Sequence, residues 1–362
     1  MNPINFILST FIDLYVKIRD KINPEWSLKN SARISEWKLM VFAFSQSKIG
    51  VAGGLLVTIF VVLAVIGPLL AYMEYDYFPI LENPDYKLIP PNTEFNGQSY
   101  ILGTDWLGRD VLSMILYGVR ISVVLSFIVI ILGVPLGIIL GLLSGYLKGY
   151  FDEFIMRLTD IFLAFPGLIL AIAFASVLPS RIYDSFEANT QIRDFFLWIF
   201  ALKPEHSPHL AAIFSLILAL VIVWWPGYAR IVRASTLSVT EQVFIEAAKS
   251  LGLSKTKILF KHVLPNIIAP VLVLITFDLG TVPLLAAALS FLGLGPQEPV
   301  PELGRIISQA GLYFPEKSWW IVVSSGIFLF LLAFGWNLLG DSLRDVLDPR
   351  TRRAIEFKKG KK

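Results

Sequence analysis

Six stretches of this chain are long, apolar and almost free of charge: Ile49–Tyr72, Ile121–Leu147, Ile161–Ser180, Leu210–Ala229, Val263–Gly295 and Ser318–Gly340. Asp278 is the only Asp, Glu, Lys, Arg or His inside any of them. A helix needs about 20 such residues to cross the hydrocarbon of a bilayer. The pattern therefore predicts an all-α membrane protein with six transmembrane helices and both termini on one side. The basic residues say which side. Segments 1–48, 146–157, 230–262 and 341–362 hold 23 of the 31 Lys and Arg residues, and the alternate segments hold 8. By the positive-inside rule, both termini and the 230–262 loop are expected in the cytoplasm.

The flanking segments divide the chain further. In residues 1–48, Ile4, Ile7, Leu8, Phe11, Tyr15, Ile18 and Ile22 recur at helical spacing, with Lys17, Asp20 and Lys21 off the stripe. This predicts an amphipathic helix on the inner membrane surface, or a helix packed in the cytosol. Asp13 breaks the apolar run and no basic start precedes it, so a cleavable signal is not expected. Residues 49–120 hold the first span and an external loop. Pro79, Pro84, Pro90 and Pro91 mark the loop's 72–100 part as irregular. In the 181–209 loop the apolar patch Phe195–Leu202 is too short to span and is expected at the outer interface. Residues 121–340 form a five-span core, and 341–362 a basic cytoplasmic tail, solvated near anionic lipid.

Composition narrows the class. Hydrophobic residues make up 55% of the 362 residues and charged residues 16%, with mean hydropathy +0.67. That excludes a disordered chain and an ordinary cytosolic enzyme. A net charge of +3 is too small to suggest nucleic-acid binding. With no cysteine, disulfides, thiolate metal sites and thiol catalysis are excluded. His206 and His209 stand three apart around Pro208 with no acidic partner at ligand spacing, so no metal site is expected there.

The spans carry three signals. Gly133, Gly137, Gly141, Gly145 and Gly149 form a four-residue repeat, which predicts a stripe that admits a neighbouring helix closely, in a moving or a static bundle. Pro68, Pro135, Pro166, Pro226, Pro270 and Pro283 predict kinked or interrupted helices, which favour a transporter. Asp278 at membrane depth faces either a substrate path or a structural hydrogen-bond partner. No G-x-x-x-x-G-K-[ST] run occurs, so the chain is not expected to hydrolyse ATP; G-x-S-x-G and H-E-x-x-H are absent too.

The 230–262 loop is the most informative segment. Glu246-Ala247-Ala248 are good helix formers, Gly252 suits the left-handed residue that ends a helix, Ser254 suits the next N-cap, and Pro265 suits the start of span five. Two short helices are expected across the cytoplasmic face. The Ala pair would offer a shallow surface to another protein, unless the segment merely connects two spans.

Glu246-Ala247-Ala248, Gly252, Leu253 and Leu264-Pro265 at this spacing resemble the signature loop of ABC-importer permeases, and His262-Val263-Leu264-Pro265-Asn266 is similar to the peptide-importer branch. More of the chain, about residues 40–350, resembles the C-type permease of dipeptide and oligopeptide importers. The matching runs are Leu102–Asp105, Leu107–Ser113, Tyr117–Arg120, Asp160–Pro166, Trp225–Arg230, Leu289–Gly295, Asn337–Asp341 and Leu347–Arg350. The resemblance implies a type I importer permease fold in a prokaryotic plasma membrane. It also implies a second homologous permease, two cytoplasmic ATPase subunits that bind ATP and Mg, and an extracellular binding protein. Glu246, Ala247, Ala248, Gly252, Leu253, Leu264 and Pro265 would couple to the ATPase. Ala286 stands where many members have Glu in span five, and the 181–209 loop is longer than usual. With Asp278, Ala286 is expected near the substrate pathway. Di- or oligopeptides are the expected cargo. Oligosaccharides, assigned to some archaeal relatives, are the rival, and a secondary transporter, for which no internal repeat is visible, is a more distant one.

Overall fold

The structure is a computed structural model that describes residues 3–313 and 317–347. The basic run Arg350–Lys362 and the run Asp348–Arg350 lie outside them. In chain order the elements are α1 (Pro3–Ile22), α2 (Trp26–Lys29), α3 (Ser31–Gln46), α4 (Lys48–Leu70), β1 (Thr93–Phe95), β2 (Gln98–Tyr100), α5 (Val111–Leu147), α6 (Gly149–Ala164), α7 (Gly167–Val177), α8 (Pro179–Ala188), α9 (Thr190–Phe200), α10 (Ser207–Thr240), α11 (Val243–Ser250), α12 (Lys255–Ile258), α13 (Leu264–Phe291), α14 (Leu303–Tyr313) and α15 (Trp319–Leu347). They form two units. One comprises the residues up to Val57 and those from Phe334, the other Thr58–Ala333.

In the first unit α1 packs on α3. Tyr15 sets its ring 6.0 Å from Trp37 and 5.8 Å from Trp26, and Asp13 pairs with Lys38 at 2.7 Å. Phe11, Ile18 and Ile22 of the expected stripe stay exposed beside this contact. The apolar stripe is thus split between Tyr15, which packs on Trp26 and Trp37, and residues that stay uncovered.

Five described helices are long and apolar enough to cross a membrane: α4, α5, Pro204–Thr240, Lys255–Phe291 and α15. The expected third span is broken instead. α6 and α7 meet at 92° across Phe165 and Pro166. Proline lacks the N–H that would continue the helix and pushes the preceding residue toward extended backbone, and Phe165 has φ −85 and ψ 141. The other five prolines singled out in the sequence sit inside continuous helices.

The second unit is organised on α5 and α10, which run parallel in close contact. A Cβ at Gly137, Gly141 or Gly145 would lie 2.7, 2.6 or 2.8 Å from the carbonyl oxygens of Trp225, Ala229 and Arg233. Only glycine lets the backbones approach this closely. The five-glycine stripe is therefore corrected to three. Gly133 has looser neighbours, and Gly149 lies off the stripe at the first position of α6. Ile213, Leu216, Ile217, Leu220 and Val232 fill the α10 side of this core.

The N-terminal ends of α5 and α10 meet ordered loops. The 72–100 segment is more regular than expected. It folds as two 3-10 turns and the antiparallel hairpin β1–β2, with Thr93 opposite Tyr100. Asn96 and Gly97 both take positive φ at its tip, the preference of a tight hairpin turn. Met73, Ile89 and Tyr100 form a small core beneath it. The 181–209 segment contains α8 and α9. Leu197 and Phe200 of its apolar patch are buried, while Phe195 and Trp198 are exposed.

Candidate functional site

At the C-terminal end of α10 the chain turns through α11, a helix with two unlike faces. Ile245 and Ala248 are buried; Val243, Glu246, Ala247, Lys249 and Leu251 are exposed. The adjacent alanines therefore do not act as a pair: Ala248 anchors the helix and Ala247 presents it. The helix ends as the sequence predicts. Gly252 has φ +74, the Leu253 N–H donates to the Ala248 carbonyl at 3.3 Å, and the Gly252 N–H donates to the Lys249 carbonyl at 2.9 Å. This is a Schellman ending, in which a left-handed residue lets two late carbonyls find donors. The Ser254 hydroxyl then accepts from the Lys257 N–H at 3.4 Å, and Pro265 occupies the first turn of α13. Between α12 and α13, Leu259–Val263 form a π-helical turn. Leu264 is half-buried, and Pro265 exposed.

The run Leu102–Ser113, before α5, folds into a clamp. Asp105 Oδ1 accepts the backbone N–H groups of Leu107 and Arg109, each at 2.9 Å. Its Oδ2 accepts from Arg109 Nε at 2.7 Å. The Arg109 guanidinium also binds both oxygens of Glu298, one at 3.0 Å, across 189 residues of sequence. Burial pulls the Arg109 guanidinium down, and the carboxylates of Asp105 and Glu298 more than offset it. Asp110 caps α5 by accepting the Ser113 N–H at 2.7 Å. Nearby, Tyr100 is pushed up to about 12 by burial.

A third arrangement lies within the long apolar helices α10 and α13. A cavity of about 250 Å³ is lined by Leu163 of α6, by Trp224, Gly227 and Tyr228 of α10, and by Leu274 and Asp278 of α13. The Tyr228 hydroxyl donates to Asp278 Oδ2 at 2.6 Å. Ala286 is buried and does not line this cavity; Leu285 does.

Residues 133–353 match the family model for the binding-protein-dependent transport system inner membrane component. This chain belongs to that family. Residues 35–91 of the permease also match the N-terminal TM domain of oligopeptide transport permease C. It is 33% identical to the dipeptide transport system permease protein of Alkalihalophilus pseudofirmus over 88% of this chain and 91% of that one. It is 34% identical to the di/tripeptide transport system permease protein of Pseudomonas aeruginosa, over 86% and 91%. It is 40% identical to the glutathione transport system permease protein of Salmonella typhimurium, over 83% and 86%. The permease is a multi-pass protein of the plasma membrane.

Of the coupling residues named from the sequence, the permease presents Glu246, Ala247, Gly252 and Pro265 to solvent and withdraws Ala248. It brings Asp278 to Tyr228 and leaves Ala286 apart. Three features escaped sequence reasoning. Arg109 and Glu298 give no local sign of pairing. Glu302 is fully buried; burial pushes its carboxyl up, and it accepts from the Arg305 N–H at 3.1 Å. The third concerns His206: Asp76 and Glu205 place ligand-capable oxygens within 4.8 Å of its ring nitrogen, which corrects the expectation that no acidic group stands near. Asp76 already receives Lys203 Nζ at 2.8 Å, and His206 Nδ1 lies 2.8 Å from the Tyr75 hydroxyl. Asp76 and Glu74 hold the Lys203 ammonium above its ordinary range.

Proposed function

We propose that this permease is one of two membrane subunits of an ATP-driven importer for di- or oligopeptides, delivered by an extracellular binding protein. The names of the three relatives, whose cargoes are dipeptides, di- and tripeptides and glutathione, support the cargo. The observation that carries the mechanism is α11. It is an eight-residue helix fixed underneath by Ile245 and Ala248, while Glu246, Ala247 and Leu251 stand free. Partner ATPase subunits bind ATP and Mg. Their closure pushes on this helix, and the push passes to α10 and α13, which α11 and α12 join. The clustering of Lys and Arg in alternate segments supports α11, both termini, the 1–48 segment and the 341–362 tail on the cytoplasmic side. The opposite end, with β1–β2, α8 and α9, then meets the binding protein. The 121–340 core carries the switch, a two-state element biased by a ligand held in another subunit. Asp278 belongs to the substrate path.

The test is ATP hydrolysis by the reconstituted complex with its binding protein, with a peptide library compared against an oligosaccharide library. Peptides are expected to stimulate hydrolysis. Stimulation by oligosaccharides alone would keep the coupling mechanism and overturn the cargo.

A further inference from the structure

We propose that Asp278 is a binding site for the terminal ammonium group of a peptide in transit. This rests on the peptide-importer reading and gives it a recognition chemistry. Two runs that carry the family resemblance, Asp160–Pro166 and Trp225–Arg230, converge with α13 on the same cavity. The cavity wall is otherwise apolar and aromatic, and Asp278 supplies its only carboxylate. Among the described residues Asp278 is ion-paired to no Lys, Arg or His.

An ionised carboxylate at this depth needs a cation or a set of donors. Tyr228 supplies one donor, at 2.6 Å, and fixes the direction of the carboxyl group, and Trp224 supplies a second hydrogen bond. A passing ammonium supplies the rest. The apolar wall strengthens the attraction by keeping the local dielectric low. A neutral sugar offers none of this chemistry. Tyr228 is accordingly a positioning residue, and Asp278 the group that meets the cargo.

Two measurements on the assembled complex test the assignment. In proteoliposomes with the binding protein, uptake of tri-alanine is compared for the native permease, Asp278→Asn and Asp278→Glu. Loss of a charge-assisted hydrogen bond predicts a fall of about tenfold or more for Asp278→Asn and partial retention for Asp278→Glu. Asp278→Asn should still co-purify with its partner subunits at native yield and melt at the native temperature, showing that the variant is folded and assembled. Separately, without binding protein, Asp278 is labelled with a hydrophobic carbodiimide and the modified peptide is quantified by mass spectrometry. Tri-alanine should protect Asp278, and N-acetyl-tri-alanine should not. Equal protection by both, or native uptake by Asp278→Asn, would overturn the assignment. Failure of the native complex to take up or respond to tri-alanine would instead overturn the peptide reading, with the labelling result still deciding the ammonium site.

Discussion

The clamp before α5 and the helix α11 after α10 treat their polar groups in opposite ways. In the clamp, Asp105, Arg109 and Glu298 are drawn together and satisfy one another. After α10, Glu246, Lys249, Lys255 and Lys257 stay in solvent. A buried, mutually bonded cluster resists change, because removing one member strands the others. An exposed helix on a sharp left-handed turn costs little to touch and is easily read by a partner. In the proposed mechanism the first arrangement holds the fold, and the second leaves a surface free to receive force. Substitutions in the clamp should therefore alter stability, and those at α11 should alter coupling.

The largest effect should come from Arg109→Met. It leaves Asp105 buried without its cation, at a cost of about 3–5 kcal/mol. Thermal unfolding of the purified complex should drop steeply, while the surviving fraction keeps its ratio of ATP hydrolysed to substrate moved. A changed ratio would break the contrast. Gly252→Val should do the reverse. A left-handed β-branched residue costs about 1–2 kcal/mol or more, yet a Cβ there meets nothing within 4 Å. Normal expression with lost uptake is expected; native uptake at normal expression would contradict the coupling role.

Ser254→Ala should be milder. It removes one N-cap at about 1 kcal/mol, so partial uncoupling is expected in the same uptake assay. The smallest effect should come from Lys203→Ala, because Lys203 and Asp76 are only half-buried and its other partner Glu74 is exposed, where an ion pair contributes about 0–1 kcal/mol. The sign of its pH dependence is set by the raised ammonium. The contribution is complete below the unfolded value of about 10.4 and lost as pH climbs beyond it. A titration of melting temperature between pH 6 and pH 9 should therefore show no Lys203-dependent slope.

What could be read from the sequence was local. Charge-free length gave the spans, and the spacing of Gly252 and Ser254 gave the turn between two helices. The Asn96–Gly97 dipeptide carried a hairpin signal that the surrounding prolines obscured. The broken third span was hidden because Pro166 lies within an apolar run that reads as one helix. Helix phase decides that Ala247 faces out and Ala248 in, and the phase depends on where α11 begins. Tyr228 and Asp278 are 50 residues apart, and Arg109 and Glu298 are 189 apart. Such pairs exist only once the chain has folded.

The central claim is that α11 transmits the state of the ATPase through its exposed face. The chain contains no cysteine, so single cysteines can be placed at Ala247 and at Ala248 without further changes. Short-span cross-linking to cysteines on the partner ATPase, with and without ATP, tests the claim directly. Ala247→Cys should cross-link in a nucleotide-dependent way, and Ala248→Cys, on the buried side, should not. No cross-link from Ala247→Cys, or equal yields at the two positions whatever the nucleotide, would contradict it.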